Sequence, residues 1–506
     1  MASQSQSTKQ AHYTGAAASG MQEQSLVQRV SGFVQAPERV FLLLGLLFGL
    51  ISIFAMPPFQ IADEPAHFYR VYQLSTGQLA AQKLDGQTGG MLPASLIQTV
   101  DTLYGDIAYN QERKQSFANI AATLAIPLEP DALAFADFRN TSLFSPAPYL
   151  SQIVGVALGR VLGAPPIVLL YLGRLSSLLV TVTLLFVAIK TTPVFKWVFV
   201  LLALTPSVLI VRSSFSADGF TNSIALLLVA VVLRYAFAPD HLIGRRQLVM
   251  MIGLSVLLSL SKQAYFVLPL IYLLIPISRV GNRVRYFGFL AVILLACMLA
   301  LAGWAQIARN VYTPLRAGET ALYDRSSTLR DKDLSDIQFN PQAQARVIVS
   351  DPARYMLVIA KHVIDKTPSH IKFGVGAIGW DVRLSLHFAM LYVLALLYVM
   401  LADNRYAVRL SFWNKALLFG IAFGNFVLIL TIGYLLWNDV GAREIHGVGG
   451  RYFIPLAPLF ALMFYNRRLR LSERFIPAGA VVAIYSVCSL LYAFVVVVER
   501  YYGWKN

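Results

Sequence analysis

Residues 248–278 read LVMMIGLSVLLSLSKQAYFVLPLIYLLIPIS, and this stretch decides the topology of the chain. As one long helix it crosses a membrane once. As two short apolar segments, 248–261 and 264–278, interrupted at Ser261-Lys262-Gln263, it goes out and returns. The cations that follow arbitrate, because Lys and Arg collect on the cytoplasmic side of membrane proteins. A single crossing puts Arg279, Arg283 and Arg285 outside and inverts every later loop. The hairpin keeps them inside and sets Lys262 at an outer turn.

The rest of the sequence agrees. Of 506 residues, 57% are hydrophobic and 13% charged, with mean hydropathy +0.60. An ordinary soluble domain carries about 25% charged residues, so a water-soluble enzyme and a disordered chain are both excluded. The net charge of +16 comes without any basic nucleic-acid-binding module and fits cations gathered at one membrane face. Cys297 and Cys488 lie in apolar runs, which argues against a disulfide framework or a cysteine zinc site. There is no internal repeat, no Walker or Rossmann glycine pattern and no zinc-protease motif.

Apolar runs fall at 40–56, 167–189, 197–212, 220–238, 248–261, 264–278, 286–305, 384–402, 416–437, 452–466 and 475–497. They predict an all-α integral membrane protein of about 11 transmembrane helices, several short of the ~20 residues of a full span. Pro57 and Pro58 after the first run, and the long polar tail before it, favour a retained helix over a cleaved signal. With residues 1–39 as a disordered cytoplasmic tail, the short inner loops hold fifteen cations. These are Lys190, Lys196, Arg234, Arg245, Arg246, Arg279, Arg283, Arg285, Arg405, Arg409, Lys415, Arg467, Arg468, Arg470 and Arg474. The short outer loops hold four, Arg212, Lys262, Arg443 and Arg451. The membrane domain is 40–497, with outer segments at 57–166 and 306–383 and an outer C-terminal tail at 498–506. Amphipathic stretches at 65–79 and 341–364 predict helices lying on the membrane or over the bundle. Tyr501, Tyr502 and Trp504 suit an interfacial aromatic belt.

Chemistry-bearing residues concentrate on the predicted outer face. In Pro57-Pro58-Phe59-Gln60-Ile61-Ala62-Asp63-Glu64-Pro65-Ala66-His67, two adjacent acids follow the first helix. Asp63 reads either as a helix cap one turn before His67 or, with Glu64, as a general base for a hydroxyl. Arg451, in His446-Gly447-Val448-Gly449-Gly450-Arg451-Tyr452, reads as a phosphate fork on close-approaching glycine backbone or as an interfacial cation. Lys262 either pairs with phosphate or snorkels from a helix end. Arg174, inside the second span, needs a partner or a cavity. Asp218 and Asp381 stand at outer helix ends, where capping competes with a site role, and Tyr149 lies in the rigid Ser145-Pro146-Ala147-Pro148-Tyr149 bend. His362, His370 and His387 are too scattered to predict a metal.

Taken in order, Pro-Pro-x5-Asp63-Glu64-Pro-x-His67-Phe, Pro-x-Pro-Tyr149, Leu-Gly-Arg174, Ser-x-Asp218, Ser-Lys262, Gly-Trp380-x-Arg383 and Gly450-Arg451-Tyr452-Phe-x-Pro455 resemble one family over residues 40–466. It is a bacterial family of predicted integral membrane proteins, carried as a domain of unknown function and similar to the GT-C superfamily of polyprenyl-phosphate-sugar glycosyltransferases. The resemblance implies a GT-C-like bundle in the bacterial inner membrane, N-terminus cytoplasmic and C-terminus periplasmic. It implies sugar transfer, with inversion, from a polyprenyl phosphate to an envelope glycan, glycolipid or protein on the periplasmic side. Carried over by position, Asp63 or Glu64 is the base, and Arg451, Lys262 and Arg174 meet the donor phosphate. His67, Tyr149, Asp218, Asp381 and Tyr452 are further site candidates. Metal-dependent relatives separate their two acids by one residue; here the acids adjoin, which weakens a metal claim, so no cofactor is assigned and a divalent metal stays an open alternative that no ligand motif supports. The competing readings are a lipid-pyrophosphate-dependent polysaccharide polymerase or ligase, and a lipid or solute transporter.

Overall fold

The computed structural model describes residues 36–105, 107, 110–238, 242–311, 340–403, 408–466, 471 and 477–503. The tail up to residue 35, the inner-loop cations Arg405, Arg467, Arg468, Arg470 and Arg474, residues 312–339 of the second outer segment, and Trp504 lie outside them.

Helix α1 (Pro37–Ala55) leads into α2 (Glu64–Ser75), strands β1 (Gln82–Leu84) and β2 (Gln87–Pro93), α3 (Ala94–Tyr104), α4 (Phe117–Ala122), β3 (Leu133–Asp137) and α5 (Leu150–Val161). Next come α6 (Pro166–Thr191), α7 (Lys196–Ala203), α8 (Pro206–Arg212), α9 (Ala217–Phe237), α10 (Arg245–Ser261) and α11 (Arg283–Ala308). Then follow α12 (Pro341–Ser350), α13 (Pro352–Gly376), α14 (Leu386–Ala402), α15 (Phe412–Trp437), α16 (Ala457–Met463) and α17 (Ala478–Tyr501).

Among the described residues, six helices are long and apolar enough to cross a membrane: α1, α6, α9, α11, α15 and α17. The other five apolar runs are shorter or broken. Helices α10 and α14 have 17 residues each. The run at 197–212 splits at Thr205-Pro206, where the residue before proline is extended (φ −55°, ψ 131°). The run at 264–278 carries Pro269 and Pro276 and folds as 3-10 turns, as does Gly450–Leu456 with its internal Pro455. Helix α9 is the centre, with 83% of its apolar window buried; α11 stands at the rim with 17%. A helix apolar all round belongs in the interior of a bundle, and α9 is one.

The chain is mostly helical as expected, and the first long segment between spans adds one small sheet. The sheet is antiparallel in the order β1-β2-β3, with Gly89 opposite Asp137 and Met91 opposite Phe135. Asp85 (φ 48°) and Gly86 (φ 76°) form the two-residue turn between β1 and β2, both on the positive side that such hairpins require. The sheet, α2, α3 and α5 share a core of Phe68, Leu92, Leu96, Phe138, Tyr149 and Val156, continuous with Leu170 of α6 and Phe215.

The expected helix at 65–79 is α2, and it is buried along most of its length, packed against protein as the second of the two expectations has it. It stops at Ser75 because Gly77 takes a left-handed conformation (φ 85°). The amphipathic stretch at 341–364 is two helices, α12 and α13, parted at Asp351, whose side chain accepts from the Arg354 amide. At the other end of the chain the helix runs on to Tyr501. That residue is fully buried and not part of an interfacial belt, and Tyr502 stacks on Phe117 with centroids 4.7 Å apart. Arg212, expected in an outer loop, is buried and donates to the Ala203 carbonyl.

Candidate functional site

Asp63 directly precedes α2, but its side chain does not cap the helix. A capping residue is extended, whereas Asp63 is left-handed (φ 63°). Its backbone carbonyl accepts from the His67 amide (3.0 Å), while its Oδ1 turns to accept from Asn140 Nδ2 at 2.9 Å. Phe59 is left-handed as well (φ 66°), so the link from α1 to α2 holds two strained non-glycine residues.

The neighbouring Glu64 holds this link in place. Its Oε1 and Oε2 accept from Arg174 Nε (2.9 Å) and Nη2 (2.6 Å). The same carboxylate accepts from the amides of Phe59 and Phe215. Arg174 also donates to the carbonyls of Ile53, Met56 and Pro57. Both side chains are 0% exposed. Glu64 is thus held in a structural pair, the partner that Arg174 needs is Glu64, and neither side chain lines the cavity described below. The adjacent acids point apart.

A second charged group forms where three other elements end. Ser216 caps α9, accepting from the Asp218 amide, and leaves the Asp218 carboxylate free. Asp218 Oδ1 accepts from Lys262 Nζ at 2.7 Å and Oδ2 from Arg451 Nε at 2.6 Å. Lys262 directly follows α10, and Arg451 is the second residue of the 3-10 turn Gly450–Leu456. Tyr452 lies beneath both, its ring centroid 3.5 Å from Lys262 Nζ and 5.6 Å from the Arg451 guanidinium carbon. Asp218 takes only the Nε edge of Arg451, and among the described residues no hydrogen bond from its two terminal nitrogens is seen, which leaves them to a ligand.

Gly450 explains the glycine-rich approach to Arg451. A Cβ there would stand 2.0 Å from the His370 carbonyl oxygen and 2.6 Å from the Gly374 amide. The glycine lets the arginine-bearing turn press against the backbone of α13, so close approach serves packing and not a ligand.

Asp63, His67, Asp218, Lys262, Arg451 and Tyr452 all line one cavity of about 470 Å³. The lining also takes an apolar wall from the C-terminal ends of α11 (Trp304, Ala305, Ala308) and α15 (Ile432, Leu436, Trp437), together with Arg309, which directly follows α11. The start of α9 and the ends of α10, α11 and α15 thus meet at one end of the bundle, the same end that charge placement assigns to them. Tyr149 stands behind the wall, fully buried, with its hydroxyl 2.7 Å from His67 Nδ1. Asp381 is elsewhere: it pairs with Arg500 Nε at 2.5 Å and contacts the Tyr501 hydroxyl. That corrects its candidacy, since its role is to fasten the end of α17. Asn140 and the two wall tryptophans were not picked out from the sequence. Asn140 sits in a loop without pattern, but tryptophan at the end of a span is a readable interface signal.

Burial raises the Asp63 carboxyl above its usual range, opposed by Arg451, Asn140 and Lys262 and reinforced by Asp218. A carboxylate raised in this way is a stronger base than a free one. Burial pulls His67 down to about 3, so its ring is neutral. Among the described residues no three His, Cys, Asp or Glu side chains converge as metal ligands.

No curated protein and no solved structure matches the chain. A family model described as "Predicted membrane protein (DUF2142)" matches residues 46–460, which include every cavity residue named above. With most of its length matched and six apolar helices of spanning length, the chain belongs to this family of predicted membrane proteins, DUF2142.

Proposed function

We propose that this protein is a membrane glycosyltransferase, using a polyprenyl-phosphate sugar as donor and an envelope hydroxyl as acceptor at the periplasmic side of a bacterial inner membrane. The observation that carries the reading is one cavity with a raised carboxyl, three cations (Lys262, Arg309 and Arg451) and an apolar wall made of helix ends. In the reaction the acceptor oxygen attacks the anomeric carbon and the bond from that carbon to the phosphate oxygen breaks. Asp63 takes the hydroxyl proton, and the lipid phosphate leaves without needing an acid. A single displacement inverts the anomeric centre. The donor phosphodiester carries one negative charge and the departing phosphate gains a second. Lys262 and Arg451 therefore hold the transition state more tightly than the ground state. The apolar wall takes the first isoprene units of the lipid.

The test is transfer from a synthetic polyprenyl-phosphate sugar by purified protein in nanodiscs, followed as released lipid phosphate and labelled product. Asp63→Asn is expected to stop turnover in a folded protein. Wild-type turnover in that variant, or turnover only of diphosphate-linked donors, overturns the proposal.

A further inference from the structure

The Tyr149 hydroxyl is fully buried, and among the described residues its one side-chain partner is His67 Nδ1. Burial also holds this phenol well above its ordinary pKa, so the proton is present. If Nδ1 carried a hydrogen and donated it, the phenolic O–H would be left buried with no acceptor, which is costly. The tyrosine therefore donates, Nδ1 accepts, and the hydrogen of the neutral imidazole sits on Nε2. Phe144 packs against both rings, 6.0 Å from His67 and 6.1 Å from Tyr149, and fixes their orientation.

His67 lines the cavity, and its Nε2 has no protein partner among the described residues. Asp63 lies four residues earlier, and its carbonyl closes the first turn of α2 with the His67 amide. Asp63 itself is left-handed and outside the helix, but its side chain and that of His67 line the same cavity. The wall thus offers an acceptor group, the Asp63 carboxylate, one turn from a neutral N–H donor.

We propose that the acceptor substrate is a sugar bearing an oxygen on the carbon next to the attacking hydroxyl, recognised by the His67 Nε2–H, with Tyr149 as the positioning residue that fixes the tautomer. This rests on the reading in which Asp63 takes the acceptor's proton. A protein Ser or Thr hydroxyl has no such vicinal oxygen and leaves the donor unpaired.

Two measurements test it. Nitrogen NMR of 15N-histidine-labelled protein in nanodiscs, with His67 identified by its loss in His67→Gln, is expected to give hydrogen on Nε2 only, from pH 8 to pH 5. Tyr149→Phe is expected to abolish that single tautomer. Hydrogen on Nδ1, or titration within that range, overturns the donor role even if transfer occurs. The second measurement compares a methyl glycoside acceptor with its deoxy analogue lacking the vicinal hydroxyl, each with a synthetic polyprenyl-phosphate sugar. Wild type is expected to prefer the diol by about 10-fold or more in kcat/KM. His67→Leu should lose the preference, and His67→Gln, which keeps an N–H donor, should retain it. Equal use of both acceptors by wild type, or an intact preference in His67→Leu, overturns the acceptor assignment while sparing glycosyl transfer. Transfer to no acceptor overturns both.

Discussion

Glu64 and Arg174, 110 residues apart, form a doubly hydrogen-bonded ion pair with neither side chain exposed. The pair fastens the end of α1, the strained link to α2, the middle of α6 and the backbone at Phe215. Removing one partner leaves a buried charge uncompensated, which costs about 3–5 kcal/mol. Glu64→Gln is therefore expected to lower the thermal midpoint in detergent strongly and to lose activity only through misfolding. A Glu64→Gln protein with a wild-type midpoint and no turnover would return Glu64 to the list of bases.

Asp63→Asn should behave in the opposite way. The folded-state pKa of Asp63 is raised by burial, so its contribution to stability is complete below the ordinary carboxylate pKa and is lost as pH rises through the raised value. The amide does not ionise, so the variant should be at least as stable as wild type at pH 7 while inactive. Wild-type turnover should show an acid limb above the ordinary carboxylate range. The checks are unfolding midpoints at pH 4 and pH 7 beside the rate profile.

Acid should destabilise the protein through three histidines that burial, full or partial, keeps neutral. His67 is pulled down to about 3, and His362 and His370, whose Nε2 atoms are 2.8 Å apart, to about 4. Between those values and about 6.5 the unfolded chain binds more protons, so stability falls as pH drops through that window. His370→Gln is expected to flatten the dependence of the unfolding midpoint from pH 7 to pH 5. An unaltered slope refutes the assignment.

Gly450→Ala tests whether the turn bearing Arg451 must touch α13. The added methyl meets backbone on both sides, which no side-chain rotation relieves. Donor binding should weaken by about 10-fold or more, as expected for losing a charge-assisted contact to phosphate. Titration with the donor lipid phosphate reads this directly, and unchanged affinity counts against the packing argument.

Asp218→Asn should remove the carboxylate that balances Lys262 and Arg451 without removing either cation. A diphosphate probe is then expected to inhibit more strongly relative to a monophosphate. Inhibition constants for the two anions in wild type and variant decide it, and an unshifted ratio rejects that balancing role of Asp218.

Much of this was legible in the order of residues. The placement of cations brought Asp63, Lys262 and Arg451 to one face before any coordinates, because membrane insertion sorts charge by side. Asp85-Gly86 was a readable hairpin signal, overlooked because short strands in a polar segment carry little periodicity. The pairing of Glu64 with Arg174 was not legible. It depends on which face of α6 turns toward the link after α1, and only packing decides that. The bridging role of Asp218 was hidden for the same reason: three helix ends must first meet.

The end of α17 has a mechanical consequence. Arg500 joins Asp381 of the second outer segment to the backbone of Ile107 and Asn110 in the first, and the Gln115 amide donates to the Tyr501 carbonyl. The two outer segments are stitched to one C-terminal peg and cannot swing apart independently. Loosening that peg, by Arg500→Ala for instance, would unhitch both flaps at once while leaving every group that faces the cavity chemically intact.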